Sequence, residues 1–334
     1  MKQNERNMTS GTRRSVSRRE LLKQVTAATV AVGAAGALVS ASASAKQYRF
    51  VIVPKVVHPW FDAVVEGAKS QAKLMQEATG AEFVIDYRAP SKADVVMQNN
   101  ILEQAAATKP DGITVDLLDA AGNKTVLQSI MGQGIPVCAF DSVAPEDLHT
   151  VSIQNDFAEQ ARIADELLVN LLHGKGKVAI MQGFPTAVNH RIRYLAHKEN
   201  FAKYPGIQVV AEGIDNDDIE TAHKQATAIL AAHPDLNGFV DCDAAGPIGV
   251  SLAIKEAGLT GKVLHVGLDE SPKEILQYIR EGVMQASSAT KPLMQGQWAV
   301  LALWMKRNEM PLPKTIDTGI WVITKSNVDT YYKT

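Results

Sequence analysis

Cysteine is scarce in this chain: Cys138 and Cys242 are the only two in 334 residues. A zinc ribbon or a thiolate-held iron–sulfur cluster needs about four thiols, so both are excluded. Each cysteine ends an apolar run, "IPVCAFD" and "FVDCDAA". Separate buried thiols and one disulfide in an oxidising compartment both fit that placement. Excess positive charge is missing too, at a formal net charge of −2, which leaves no basic surface for nucleic acid. Neither H-E-x-x-H nor G-x-S-x-G occurs, and "GKGKVAIMQG" puts its glycines ahead of an apolar run rather than behind one, so the dinucleotide fingerprint fails. His190, His197, His223 and His265 have no metal-ligand spacing and read as surface or packing residues. The expectation is a protein without catalytic residues, metal or cofactor.

What is present begins at the N-terminus. Arg13, Arg14, Arg18, Arg19 and Lys23 precede an uncharged stretch, Gln24 to Ala45, that closes on Ala43-Ser44-Ala45. A basic start, a modestly apolar stretch and a small-residue cleavage site make a removable export signal over 1–45. The stretch is short and rich in Ala and Gly, whereas a bilayer-spanning helix needs roughly 20 strongly apolar residues. "SRRELLK" (17–23) resembles the twin-arginine signal motif, with Leu21 where Phe is commonest. The resemblance implies export of an already folded protein to the periplasm. Seven of the 34 basic and two of the 36 acidic residues lie in 1–45, leaving 27 against 34 and a net charge of about −7.

From Tyr48 onward, β-branched runs alternate with amphipathic stretches. "YRFVIVP", "EFVIDYR", "DGITVDLLD" and "IPVCAFD" read as strands, and in the helix after the first strand Phe61, Val64, Val65, Ala68, Ala72 and Met75 recur at helical spacing. After "EDLHTVSIQNDF" a second series follows, "GKVAIMQG", "IQVVAEGI", "LNGFVDCD" and "VLHVGLD", with helices expected over 190–203, 219–232, 248–257 and 272–281. Strand–helix alternation of this length predicts parallel, buried sheets in an α/β fold written twice. Ligands of such sheets sit beyond the carboxyl ends of the strands. There the chain places "PKVVHPWFD", "FDS", "QGFPTAVNHR", "DCDAAGP", "LDESP" and "SSATKP".

On those residues the chain resembles the type I periplasmic substrate-binding proteins of the ribose-binding class. "HPWFDAVVEGAKSQA" is similar to the family's opening helix, "GIPVCAFDS" to its GIPV strand ending in Asp, "VNHRIRYLAHKENFAKYPGI" to its Asn/Arg helix, and "VGLDESPKEILQYIREG" to its GxD turn. The resemblance implies two Rossmann-like lobes with parallel sheets joined by a three-strand hinge. The N-terminal lobe is expected over 46–149 plus about 290–316 and the C-terminal lobe over 150–289 plus about 317–334. It implies a monomeric receptor that closes on one small polar ligand and delivers it to an ABC transporter permease. Carried over by position, Trp60 and Phe61 would stack on a sugar ring, while Asp141 and Asp269 would accept from hydroxyls, and Asp243 lies in the binding turn where the family often has an Asn-Asp pair. Arg191 would donate two parallel bonds, and Asn189 would donate and accept. Thr290 falls at the hinge position where ribose binders tend to have Gln. Lys55 follows the first strand as in a subgroup that includes autoinducer-2 and some polyol receptors, and His58 stands where Asn is common.

Sugar, polyol, furanone and sugar acid stay open as ligands, and so does a sensor that presents its closed form to a chemoreceptor or membrane kinase. A transcription regulator of the same fold would need a DNA-binding helix-turn-helix ahead of Tyr48, where the export segment stands.

Overall fold

The computed structural model describes residues 46–271 and 273–333. The expected export signal at 1–45 lies outside the described residues. Among the described residues no helix is long and apolar enough to cross a membrane.

The first sheet holds β1 (Gln47–Val53), β2 (Glu82–Tyr87), β3 (Gly112–Val115), β4 (Val137–Phe140) and β5 (Val151–Gln154), with β11 (Thr315–Asp317) at its edge, in the order β11-β5-β4-β3-β1-β2. The second repeats that order with β6 (Gly176–Gln182), β7 (Ile207–Ile214), β8 (Gly238–Asp241), β9 (Leu264–Leu268), β10 (Ala286–Ala289) and β12 (Trp321–Thr324), as β12-β10-β9-β8-β6-β7. All pairings are parallel except β10 with β12. The helices are α1 (Trp60–Thr79), α2 (Val95–Ala107), α3 (Ala120–Gly132), α4 (Phe157–Leu171), α5 (Val188–Phe201), α6 (Ile219–Ala232), α7 (Gly246–Glu256), α8 (Lys273–Glu281) and α9 (Pro292–Arg307).

Local chemistry starts several of them. Asp94, Asp119, Asp156 and Asp218 cap α2, α3, α4 and α6, each carboxylate accepting from first-turn amides. Helices on both faces leave the central strands β3 and β4 buried at every residue, so neither alternates between a buried and an exposed face. In the first lobe α1 and α9 pack almost backbone to backbone. A Cβ on Gly67 would lie 1.9 Å from the Leu293 carbonyl oxygen, and one on Gly296 would lie 1.9 Å from that of Val64.

The structure moves one expected boundary. "VSIQ" forms β5, paired with β4 through Cys138–Val151 and with β11 through Ser152–Thr315. The first sheet therefore extends to Gln154, and the crossing to the second lobe lies after that residue, not at 149/150. Helix α4 is likewise absent from the expected series. Four residues between polar turns carry little periodic signal, and the partner strand β11 lies more than 150 residues away. The chain passes between the sheets again after Ala289 and after Asp317. Cys138 and Cys242 are both buried and free.

Candidate functional site

The carboxyl ends of β1 and β4 in one sheet face those of β6, β7, β8, β9 and β10 in the other, and a narrow cavity of about 20 Å³ lies between them. Eight of the ten expected residues line it: Lys55, His58, Trp60, Phe61, Asp141, Asp243, Asp269 and Thr290. The strand-end turns aim them. Asp141, Asp217 and Asp269 sit at φ 44°, 60° and 64°, in the left-handed region that aspartate tolerates better than most residues.

Trp60 and Phe61 form one wall, their rings edge to face at 5.1 Å and 88°. Phe61 also meets Phe140 of the core at 6.1 Å, so it is anchored from behind. The Trp60 indole donates to Thr290 Oγ1 at 3.1 Å, and Thr290 donates in turn to Asp269 Oδ1. That chain of bonds runs from the first lobe into the second. Burial pushes the Asp269 carboxyl up to about 6, against the pull of Arg193 and Thr290.

Asn189 and Arg191 do not line the cavity. Asn189 is fully buried and donates to Asp141 Oδ2 at 2.8 Å, linking the lobes directly. Arg191 is exposed, and the arginine at the cavity is Arg193, two residues on and 3% exposed. Two residues turn a helix by about 200°, so only one of the pair can face inward. Arg193 donates to Gln160 Oε1 at 2.9 Å and to the Cys242 carbonyl at 3.2 Å, lies over the Phe157 ring at 4.7 Å, and comes within 3.9 Å of Asp141. It is a buried guanidinium held by partners from both lobes.

Sequence reasoning also missed His190, Asp217 and Ala244, which complete the lining. Asp217 follows the edge strand β7, and its turn Asp215-Asn216-Asp217 was legible as a strand end. His190 lies beside Asn189 at the start of α5. Its Nε2 is 3.0 Å from Lys55 Nζ, and Lys55 is 3.4 Å from Asp116 with both side chains almost fully buried. Burial works against the Lys55 charge, but Asp116, Asp217 and Asp141 outweigh it and hold the ammonium above its ordinary pKa. Near Asp217, burial pushes Asp215 up to about 7 and raises Asp243 well above the carboxylate range. Gly183 makes room at the centre: a Cβ there would lie 2.4 Å from His190 Nδ1 and 2.8 Å from Asp243 Oδ2.

Two other histidines form buried pairs outside the cavity. His197 meets Asp165 at 2.6 Å. His265 meets Asp241 at 2.6 Å and Ser251 at 3.0 Å, the residue types of a hydrolase triad. Ser251, His265 and Asp241 are each fully buried and none lines the cavity, so their role is to fix β8 and β9. At the cavity itself, carboxylates accept, Lys55 and Arg193 donate, and two aromatic rings offer an apolar face. This is equipment for holding a hydroxylated molecule.

The profile described as periplasmic binding protein domain matches residues 49–308. The chain is 25% identical over 252 residues to a D-apiose import binding protein of Actinobacillus succinogenes, covering 74% of this chain and 76% of that protein. It is 25% identical over 284 residues to a D-ribose/D-allose-binding protein of Pseudomonas aeruginosa, covering 82% and 88%. The crystal structure of an ABC transporter solute-binding protein of Burkholderia graminis, in complex with D-arabinose, superposes with a TM-score of 0.80 at 28% identity. That match covers 86% of this chain and 98% of that one.

Proposed function

This chain belongs to the periplasmic binding protein family, and on that premise we propose that it is a receptor that closes around one sugar or polyol and delivers it to an ABC transporter permease. Proteins of this family are exported to the periplasm, and the twin-arginine reading of 17–23 supplies a route; mass spectrometry of the exported protein should find its N-terminus at Lys46. The observation that carries the ligand reading is the cavity between opposed strand ends, with Trp60 and Phe61 on one side and Asp141, Asp243 and Asp269 around it. Aromatic faces bury the C–H surface of a sugar while carboxylates accept from its hydroxyls. The relatives described above are named for apiose, ribose, allose and arabinose, which supports a pentose, a hexose or a related polyol.

In this reading the ligand bridges the lobes and shifts the population toward the closed form, which the permease recognises as a monomer. No bond is made or broken, and no cofactor takes part. The test is thermal unfolding of the purified protein with D-arabinose, D-allose, D-ribose, D-apiose and xylitol. A ligand at a hundred times its Kd adds about 2.7 kcal/mol and raises Tm by a few degrees. A flat response to all five would count against the sugar reading.

A further inference from the structure

His58 and His190 approach the cavity from opposite lobes and are wired alike. His58 Nδ1 accepts the Trp60 backbone N–H at 3.1 Å, and His190 Nδ1 accepts that of Phe184 at 2.9 Å. A backbone amide only donates, so each Nδ1 must present its lone pair. An imidazolium has no lone pair to give. Both rings are therefore neutral with their proton on Nε2, and burial, which lowers both pKa values, acts in the same direction. The free edges are then donors. The Nε2 of His58 is buried without a partner. That of His190 faces Lys55 Nζ at 3.0 Å, and an ammonium held by Asp116 is a donor as well. Two donors set against each other need a shared acceptor. Next to them, Asp243 Oδ2 is a buried acceptor without a partner, and it crowds the same face of Gly183 as His190.

We propose that His190 is a specificity-determining residue: its neutral Nε2–H, together with His58 and Lys55, donates to ligand oxygen at a point where an oxygen of the Asp243 carboxyl accepts a hydrogen bond from the hydroxyl. This deepens the sugar-receptor reading and rests on it. A hydroxyl, with two lone pairs and one proton, satisfies both sides at once.

Two His190 variants separate this role from mere support. His190→Asn keeps a short-range acceptor for the Phe184 amide but does not reach the cavity. His190→Gln extends an N–H donor to the Nε2 position and gives up that acceptor. Calorimetric titration with D-arabinose, D-allose and D-ribose is expected to show His190→Asn weakened roughly ten- to a hundredfold, as for a buried donor removed from a polar partner, and His190→Gln far less affected. Long-range proton–nitrogen NMR of the ligand-free protein at pH 7 should show the His190 proton on Nε2. A proton on Nδ1, a charged ring, wild-type affinity in His190→Asn, or equal losses in both variants would overturn the proposal while leaving the sugar reading intact. Failure of the wild type to bind any of the three sugars would overturn both.

Discussion

Asn189 Nδ2 donates to Asp141 Oδ2 at 2.8 Å, joining the start of α5 in the second lobe to the end of β4 in the first. Each side chain was expected to hold the ligand; here one holds the other. Gln295 Nε2, from α9, approaches the second oxygen of Asp141 at 3.5 Å. The Asn189–Asp141 bond exists only while the lobes are together, so it biases the hinge toward closure. Asn189→Ala should favour the open form, seen as a larger radius of gyration by X-ray scattering without ligand and a sugar affinity lower by roughly three- to tenfold, the worth of one net hydrogen bond. Unchanged scattering and affinity would remove this latch from the mechanism.

Arg191 and Arg193 give a sharp contrast. Arg193→Ala empties a buried site, strands Gln160 and the Cys242 carbonyl, and leaves Asp141 and Asp269 without their nearest guanidinium. It should abolish measurable sugar binding and lower stability by about 3 kcal/mol or more, as when one partner of a buried pair is removed. Arg191→Ala should bind like the wild type. Titration of both variants decides between the two arginines.

Gly183→Ala tests the centre of the site by volume alone. The added methyl would sit 2.4 Å from His190 Nδ1 and 2.7 Å from the Asp243 Cβ. Both groups must move, at about 1–3 kcal/mol of stability for an overpacked site. The expected result is a folded protein, by circular dichroism, whose sugar affinity has fallen at least tenfold.

The pH profile follows from Asp269. Its carboxyl is pushed up to about 6 in the folded protein, chiefly by burial. A raised carboxylate pKa means that its contribution to stability is fully present below the unfolded value of about 3.9 and is lost as pH rises through 6. Ligand hydroxyls that donate to the ionised form offset that loss, so affinity should rise with pH between 5 and 7. Asp269→Asn should flatten that rise in calorimetric titrations. A rise of the same size in the variant would assign the effect to another carboxylate, with Asp215, pushed up to about 7, the next to test.

Gly296→Ala probes the helix contact that carries the Trp60 wall. Its Cβ would lie 1.9 Å from the Val64 carbonyl, in a backbone that cannot yield as a side chain can. Separation of α1 from α9 should cost about 1–3 kcal/mol in thermal unfolding and displace Trp60 from Thr290, weakening sugar binding in parallel.

The sequence by itself determined the alternating architecture, because apolar runs and amphipathic stretches are local patterns. It determined where the site would be, because ligands of parallel sheets gather past the strand ends, and residues such as Trp60, Asp141 and Asp269 directly follow strands or open the next helix. Tertiary structure decided the rest. The four residues of β5 gain their identity from β4 and β11, which no local pattern announces. The choice of Arg193 over Arg191 depends on the rotation of α5 against the cleft, since a helix presents neighbours two apart to opposite sides. The donor edge of His190 depends on an amide six residues earlier in the chain, folded back onto its ring. A side chain's chemical type is written in the sequence; the direction it faces, and whether its partner is the ligand or the opposite lobe, is fixed only when the two sheets are brought face to face.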